Sequence, residues 1–258
     1  MHRSDQPLPH PGWVQSRRTN REGVTRVILL GLILAAGVGA WALPPLPQDP
    51  AYHAFADGRA LGLIANAANV LSNLVFLVAG LLGLRSAVRR TALPARPAWI
   101  VAFAGIALVS VGSASYHRAP GDDTLLWDRL PMTVGFMGLL AAVLAIPFGE
   151  GVARRVLWPA VIIGVGSVVA WRLTGDLRPY VWVQFTPLLV IGATLALCPL
   201  PPPHRRALLS ALVLYAIAKG CELADARLFA ATAGVVSGHT LKHLAAGAAC
   251  AALVRLTR

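Results

Sequence analysis

Long apolar runs separated by short polar stretches set the character of this chain. Read between charges and prolines, eight such runs stand out, at approximately 25–43, 63–84, 98–117, 126–147, 154–171, 180–199, 207–224 and 236–254. Each is close to the roughly 20 apolar residues that a helix needs to cross a bilayer core. The pattern predicts an all-α polytopic membrane helix bundle. Pro-rich stretches at 44–50 and 199–203 read as loops. The organisation expected is a polar arm over 1–24, a first span over 25–43, a loop over 44–62 and a main membrane unit over 63–258. No internal repeat or separate soluble domain is visible.

Composition supports this reading. The chain is 56% hydrophobic and 13% charged, with a mean hydropathy of +0.63, whereas a soluble domain is about 45–50% apolar and about 25% charged. Net charge is +12, which raises the question of nucleic acid. Its placement answers that question. With eight alternating spans, 15 of the 23 lysines and arginines fall on one side, in 1–26, 85–97, 148–156, 204–206 and 255–258. Positive residues stay cytoplasmic, so both termini are expected in the cytoplasm. The arginines flank apolar runs and are not interleaved with exposed aromatics, so no nucleic-acid partner is expected.

The first run also has features of a signal peptide: a basic region ahead of it and the small-x-small sequence Ala40-Trp41-Ala42. Its length and the long preceding arm favour a retained extra helix. Cys198, Cys221 and Cys250 are odd in number and lack CxxC spacing, so they read as small packing residues.

Within the apolar runs a few polar residues stand in costly places. Ser113 and His117 end the third run, Asp128 begins the fourth, and His239 and His243 begin the eighth. A four-residue step keeps each pair on one helix face. The end of an odd span and the start of an even one lie on the same side, so all five share a level, opposite the basic loops. Three imidazoles suit zinc with its fourth position open, the pattern of a catalytic site. Zinc would promote hydrolysis of an amide or ester, with Asp128 moving the proton and Ser113 donating to the developing oxyanion.

Other polar residues read differently. Asn66, Asn69, Ser72 and Asn73 form a stripe at three- and four-residue steps, best explained by interhelical hydrogen bonds. Glu222 and Asp225 either orient a ligand histidine or mark a wetted helix end. Lys219 and Lys242 are expected to snorkel or to pair with those acids.

Four stretches carry a family resemblance: Asn66-Ala-Ala-Asn-Val-Leu-Ser-Asn73, Gly112-Ser-Ala-Ser-Tyr-His117, Leu126-Trp-Asp-Arg-Leu-Pro-Met132 and Gly238-His-Thr-Leu-Lys-His243. In these the chain resembles the alkaline ceramidases, within the superfamily of seven-span membrane hydrolases that also includes the progestin and adipoQ receptors. The resemblance implies that His117, His239 and His243 hold zinc and that Ser113 and Asp128 serve catalysis. It further implies a seven-span core preceded by one extra N-terminal span, and cleavage of a ceramide amide to a sphingoid base and a fatty acid. One departure stands out. Alkaline ceramidases of eukaryotes carry a calcium-binding acidic cluster before the first core helix, with a glutamate where Asn66 stands. Here Tyr52-His-Ala-Phe-Ala-Asp57 offers Asp57 and little other carboxylate, against the roughly six to eight oxygens calcium takes. Calcium is therefore not expected, and Asn66 is expected to bond directly to Asp57.

The expectation is a membrane-embedded zinc hydrolase acting on a ceramide-like lipid, with its site toward the non-cytoplasmic face. The Ala, Arg and Leu usage points to a bacterial inner membrane. A receptor or sensor with a structural zinc site is the alternative. An ion pathway through Asp128, Glu222 and Asp225 is a third reading, though the paired interrupted repeats of transporters are missing.

Overall fold

The computed structural model describes residues 11–258, with side chains from Gly23 onward. Among the described residues there are ten α-helices and no strand, and the expected all-α bundle is found. The helices are α1 (Pro11–Ala42), α2 (Ala67–Leu71), α3 (Leu74–Arg89), α4 (Arg96–Arg118), α5 (Asp122–Phe148), α6 (Glu150–Thr174), α7 (Arg178–Leu197), α8 (Pro202–Leu223), α9 (Asp225–Ala231) and α10 (Gly238–Leu253). The expected arm over 1–24 falls partly outside the described residues, and α1 begins within it at Pro11.

Every apolar run contributes a helix, but the runs are unequal as spans. Six meet the length and hydropathy of a membrane crossing: Gly23–Ala42, Ala67–Arg89, α4, α5, α6 and α7. The seventh run qualifies only as α8 joined to α9, two helices bent 82° from one another. The eighth gives α10 with 16 residues, continued by a 3₁₀ turn at Val254–Thr257. Both shortfalls have a sequence cause. His204, Arg205, Arg206, Lys219 and Glu222 dilute α8, and His239, Lys242 and His243 dilute α10. The second run also starts late, because Asn66 sits in the left-handed region at φ 48° and the helix begins only after it.

Close helix approach follows from small residues, which let backbones meet where apolar side chains gain nothing over lipid. The α4–α5 seam is the tightest instance. A Cβ on Gly105 would lie 2.4 Å from the Gly135 nitrogen, and one on Gly112 would lie 2.1 Å from the Trp127 carbonyl oxygen. Large apolar side chains meanwhile face outward, among them Leu63, Leu173 and Val111, as in a bundle whose solvent is hydrocarbon.

The first helix is docked rather than free. Trp182 of α7 donates from Nε1 to the Ile33 carbonyl at 3.1 Å and lies against Gly37. Beyond α1, Leu177 N–H donates to the Leu46 carbonyl at 2.8 Å, and Leu46 N–H donates to Asp176 Oδ1 at 3.2 Å. Arg178 bridges to Asp176 at 2.7 Å and reaches the Trp41 and Leu43 carbonyls. This loop pairing holds the Asp176 carboxyl down at about 2, chiefly through the Arg178 hydrogen bond.

Candidate metal centre and active site

Three helices converge at one end of the bundle. The last turn of α4 presents His117, the first two turns of α10 present His239 and His243, and α5 brings Asp128 alongside. Ser237 caps α10 by accepting from Thr240 N–H at 3.1 Å. Asp225 then fixes the helix start, since its carboxylate accepts from His239 N–H at 2.7 Å and from Ala56 N–H at 2.9 Å. One side chain therefore ties α9, α10 and the loop before α2 together.

His117, His239 and His243 are all buried, and each offers a nitrogen within 4.8 Å of the other two. Nε2 of His117 and Nε2 of His239 stand 3.3 Å apart. His243 is held from behind: its Nδ1 meets Ser72 Oγ at 2.7 Å, which leaves Nε2 for the centre. Phe55 stands edge-on to both His117 and His239, with ring centroids 4.7 and 4.6 Å away. Three buried imidazoles facing one another with few hydrogen-bond partners are a poor arrangement on their own, because buried nitrogens need partners. His117 Nδ1 indeed has none. The donor set fits a metal ion: it consists of nitrogen ligands alone, all pointing at one volume.

Ser113 and Asp128 stand beside this cluster. Both are buried, and one Asp128 oxygen has no protein partner. With His243 they form part of the wall of a cavity of about 430 Å³, within the usual size of a small-molecule pocket. Away from these residues the cavity runs between α3, α4, α5, α7, α8 and α10 over apolar side chains such as Ile106, Leu139, Ile191 and Leu212. It is a polar corner opening onto a greasy channel.

The remaining polar residues resolve as follows. The Asn stripe is interhelical in part: Asn69 accepts from Thr240 of α10 at 3.1 Å, whereas it donates to the loop carbonyl of Asp57 at 3.3 Å and Asn73 donates to the Asn69 carbonyl four residues back at 2.8 Å. Ser72 also bonds across to α10, but its partner there is a histidine of the cluster. Asn66 does not bond to Asp57. Its amide donates instead to the His117 carbonyl at 2.8 Å, while Asp57 takes Arg59 in a two-pronged contact at 2.8 and 2.7 Å. The left-handed turn at Asn66 aims the amide at α4, and Arg59, two residues from Asp57, is the nearer donor. That hydrogen bond with Arg59 pulls the Asp57 carboxyl below its ordinary range. Glu222 pairs with Lys219 and, at 3.0 Å, with Lys242, so the lysines do meet an acid as expected.

The fold and site together define a class: a polytopic, all-helical membrane protein with a buried three-histidine, metal-competent centre opening onto an apolar cavity. The profile of the ceramidase family matches residues 59–195, just over half of the chain. The chain belongs to the ceramidase family. The matched segment holds Ser113, His117 and Asp128; His239 and His243 lie beyond it and join them in space. No curated protein matches the chain. Membership supports a ceramide-hydrolysing membrane enzyme.

Proposed function

We propose that this protein is a zinc-dependent amidohydrolase that cleaves the amide of ceramide or a ceramide-like lipid to a long-chain amine and a fatty acid. The observation that carries the reading is the convergence of His117, His239 and His243 beside Ser113 and Asp128, with His243, Ser113 and Asp128 on the wall of one cavity. His117, His239 and His243 would hold the ion. When bound, zinc supplies a Lewis acid that polarises the amide carbonyl and lowers the pKa of water to about 7.

The chain's own residues do the rest. Asp128, with one free oxygen, accepts a proton from the attacking water and returns it to the amine nitrogen as the C–N bond breaks. Ser113 donates its hydroxyl to the carbonyl oxygen as negative charge develops there. Ser72 holds His243 in the tautomer that leaves Nε2 available, the usual role of a residue behind a ligand. The apolar length of the cavity takes hydrocarbon tails and keeps bulk water from the reacting bond.

The proposed placement follows charge. The arginine-rich loops lie in the cytoplasm with both termini, and the site faces the other side, as in a bacterial inner-membrane protein. Residues 63–258 form the catalytic unit and α1 is an added span. Metal analysis of purified protein tests the centre. One zinc per chain, lost in His239→Ala, is expected; a trace amount unchanged by the substitution rules it out. A fluorescent ceramide tests the chemistry: Asp128→Asn and Ser113→Ala should each slow hydrolysis by about a hundredfold or more, and undiminished turnover in both refutes the roles.

A further inference from the structure

The proposed chemistry makes no use of the charged residue next to Asp128. Arg129 is 5% exposed and forms part of the cavity wall. Its guanidinium lies over Trp171 at 4.1 Å, Tyr180 at 4.6 Å and Tyr52 at 5.8 Å. Among the described residues its one hydrogen bond runs from Nη2 to Gln48 Oε1 at 2.6 Å, and Nη1 has no partner. Among the described residues no carboxylate lies within ion-pairing distance of it. The other cations of the cavity wall are treated differently, for the half-buried Lys219 and Lys242 are both paired to Glu222. A buried guanidinium with no directly paired carboxylate is costly, and three aromatic faces offset only part of that cost.

Position says what would complete it. Asp128, Ser113 and His243 mark where the amide is cleaved, and the apolar wall from Ile106 to Leu212 takes the tails. Arg129 lies against Gln48 and Tyr52 of the loop after α1, where Asp49 and Tyr52 reach the surface. A substituent carried beside the amide at the head of the lipid therefore meets Arg129. Resting on the amidohydrolase reading, we propose that Arg129 is a specificity-determining residue that selects substrates bearing an anionic oxygen group, a phosphate or a carboxylate, at the head end next to the amide. Guanidinium geometry suits both groups, which it can meet with two parallel hydrogen bonds.

The test separates head-group binding from turnover. Zinc-loaded full-length protein in detergent is titrated with dodecyl phosphate, dodecanoate and dodecanol. The wild type should bind one of the two anions at least about tenfold more tightly than the alcohol, the scale of a charge-assisted hydrogen bond, and which anion wins distinguishes the sources. Arg129→Met should abolish the preference and Arg129→Lys should keep part of it, so loss of folding in one variant leaves the other informative. Equal binding of anion and alcohol by the wild type, or a preference that survives in Arg129→Met, overturns the proposal. In the kinetic arm, ceramide 1-phosphate and an N-acyl amino acid are compared with ceramide. Arg129→Met should raise KM for the preferred anionic substrate about tenfold with kcat little changed. Faster cleavage of neutral ceramide overturns the head-group role and leaves the amidohydrolase standing. Anion preference with no amide cleaved at all does the reverse.

Discussion

Gly112→Ala probes the seam that sets the distance between the two proposed catalytic side chains. Gly112 precedes Ser113 on α4 and faces Trp127, the residue before Asp128 on α5. Pro131 follows four residues after Trp127 and lacks the N–H that would bond its carbonyl, so that carbonyl is free to approach α4. A Cβ at 112 would sit 2.1 Å from the Trp127 oxygen and 2.9 Å from its carbon. Reaching an ordinary contact of 3.4 Å requires about 1.3 Å of separation, and the obstacle is backbone, which cannot rotate away. Because the Trp127 side chain is exposed, the start of α5 can yield outward. The strain should then cost about 1–3 kcal/mol of stability, while Asp128 moves relative to Ser113. A misplacement on the order of 1 Å costs about a hundredfold in rate. The assay compares kcat/KM on fluorescent ceramide, zinc content and thermal stability, with Gly166→Ala as control, where an added Cβ meets nothing within 4 Å. The expectation is full zinc, a modestly lowered Tm and roughly a hundredfold loss of kcat/KM. Wild-type kinetics in Gly112→Ala would show that the spacing of Ser113 and Asp128 does not matter to the reaction.

Two further predictions concern the supports of the site and of the first helix. Ser72→Ala removes the hydroxyl behind His243 Nδ1 and should weaken zinc binding about 10–100-fold, read by competition with a chelator; unchanged affinity would remove Ser72 from the site. Asp176, depressed from 3.8 to about 2 by Arg178, stabilises the folded state above its unfolded value. That contribution is lost as pH falls from about 4 toward 2. The protection of Leu46 N–H from hydrogen exchange relative to its intrinsic rate, supplied by Asp176 as acceptor, should fall in that window, and Asp176→Asn should remove that fall; an Asn variant that keeps it would place the titration elsewhere.

The parts of this protein that were legible from sequence are those that depend on local pattern. Apolar length announced the helices, and a four-residue step announced that Ser113 with His117, and His239 with His243, share faces. Shared depth then foretold that α4, α5 and α10 meet. Long-range contacts made by ordinary residues were not legible. Phe55 packs on two histidines of the cluster, yet a phenylalanine in a loop carries no signal of that. Ser72 was read as part of a structural stripe because its partner lies 171 residues away. Hydropathy also misses backbone turns: the left-handed Asn66 interrupts a stretch that read as continuous, and α9, bent 82° from α8, lies beyond the end of the seventh run. Arg129 drew no reading of its own from sequence, and only the aromatic walls from α6 and α7 and the loop after α1 show that it is enclosed.

The order in which the metal-competent histidines occur along the chain sets a schedule for assembly. His117 and His239 are 122 residues apart, and α10 is the last α-helix of the described chain. Chains emerge and insert from the N-terminus, so α4 and α5 can seat Ser113, His117 and Asp128 while two of three nitrogens are still to come. The centre closes only when α10 docks between α3 and α8. Until that moment the growing protein holds a single imidazole of the three proposed to hold zinc, so on that proposal it is inert toward the lipids around it during its own insertion.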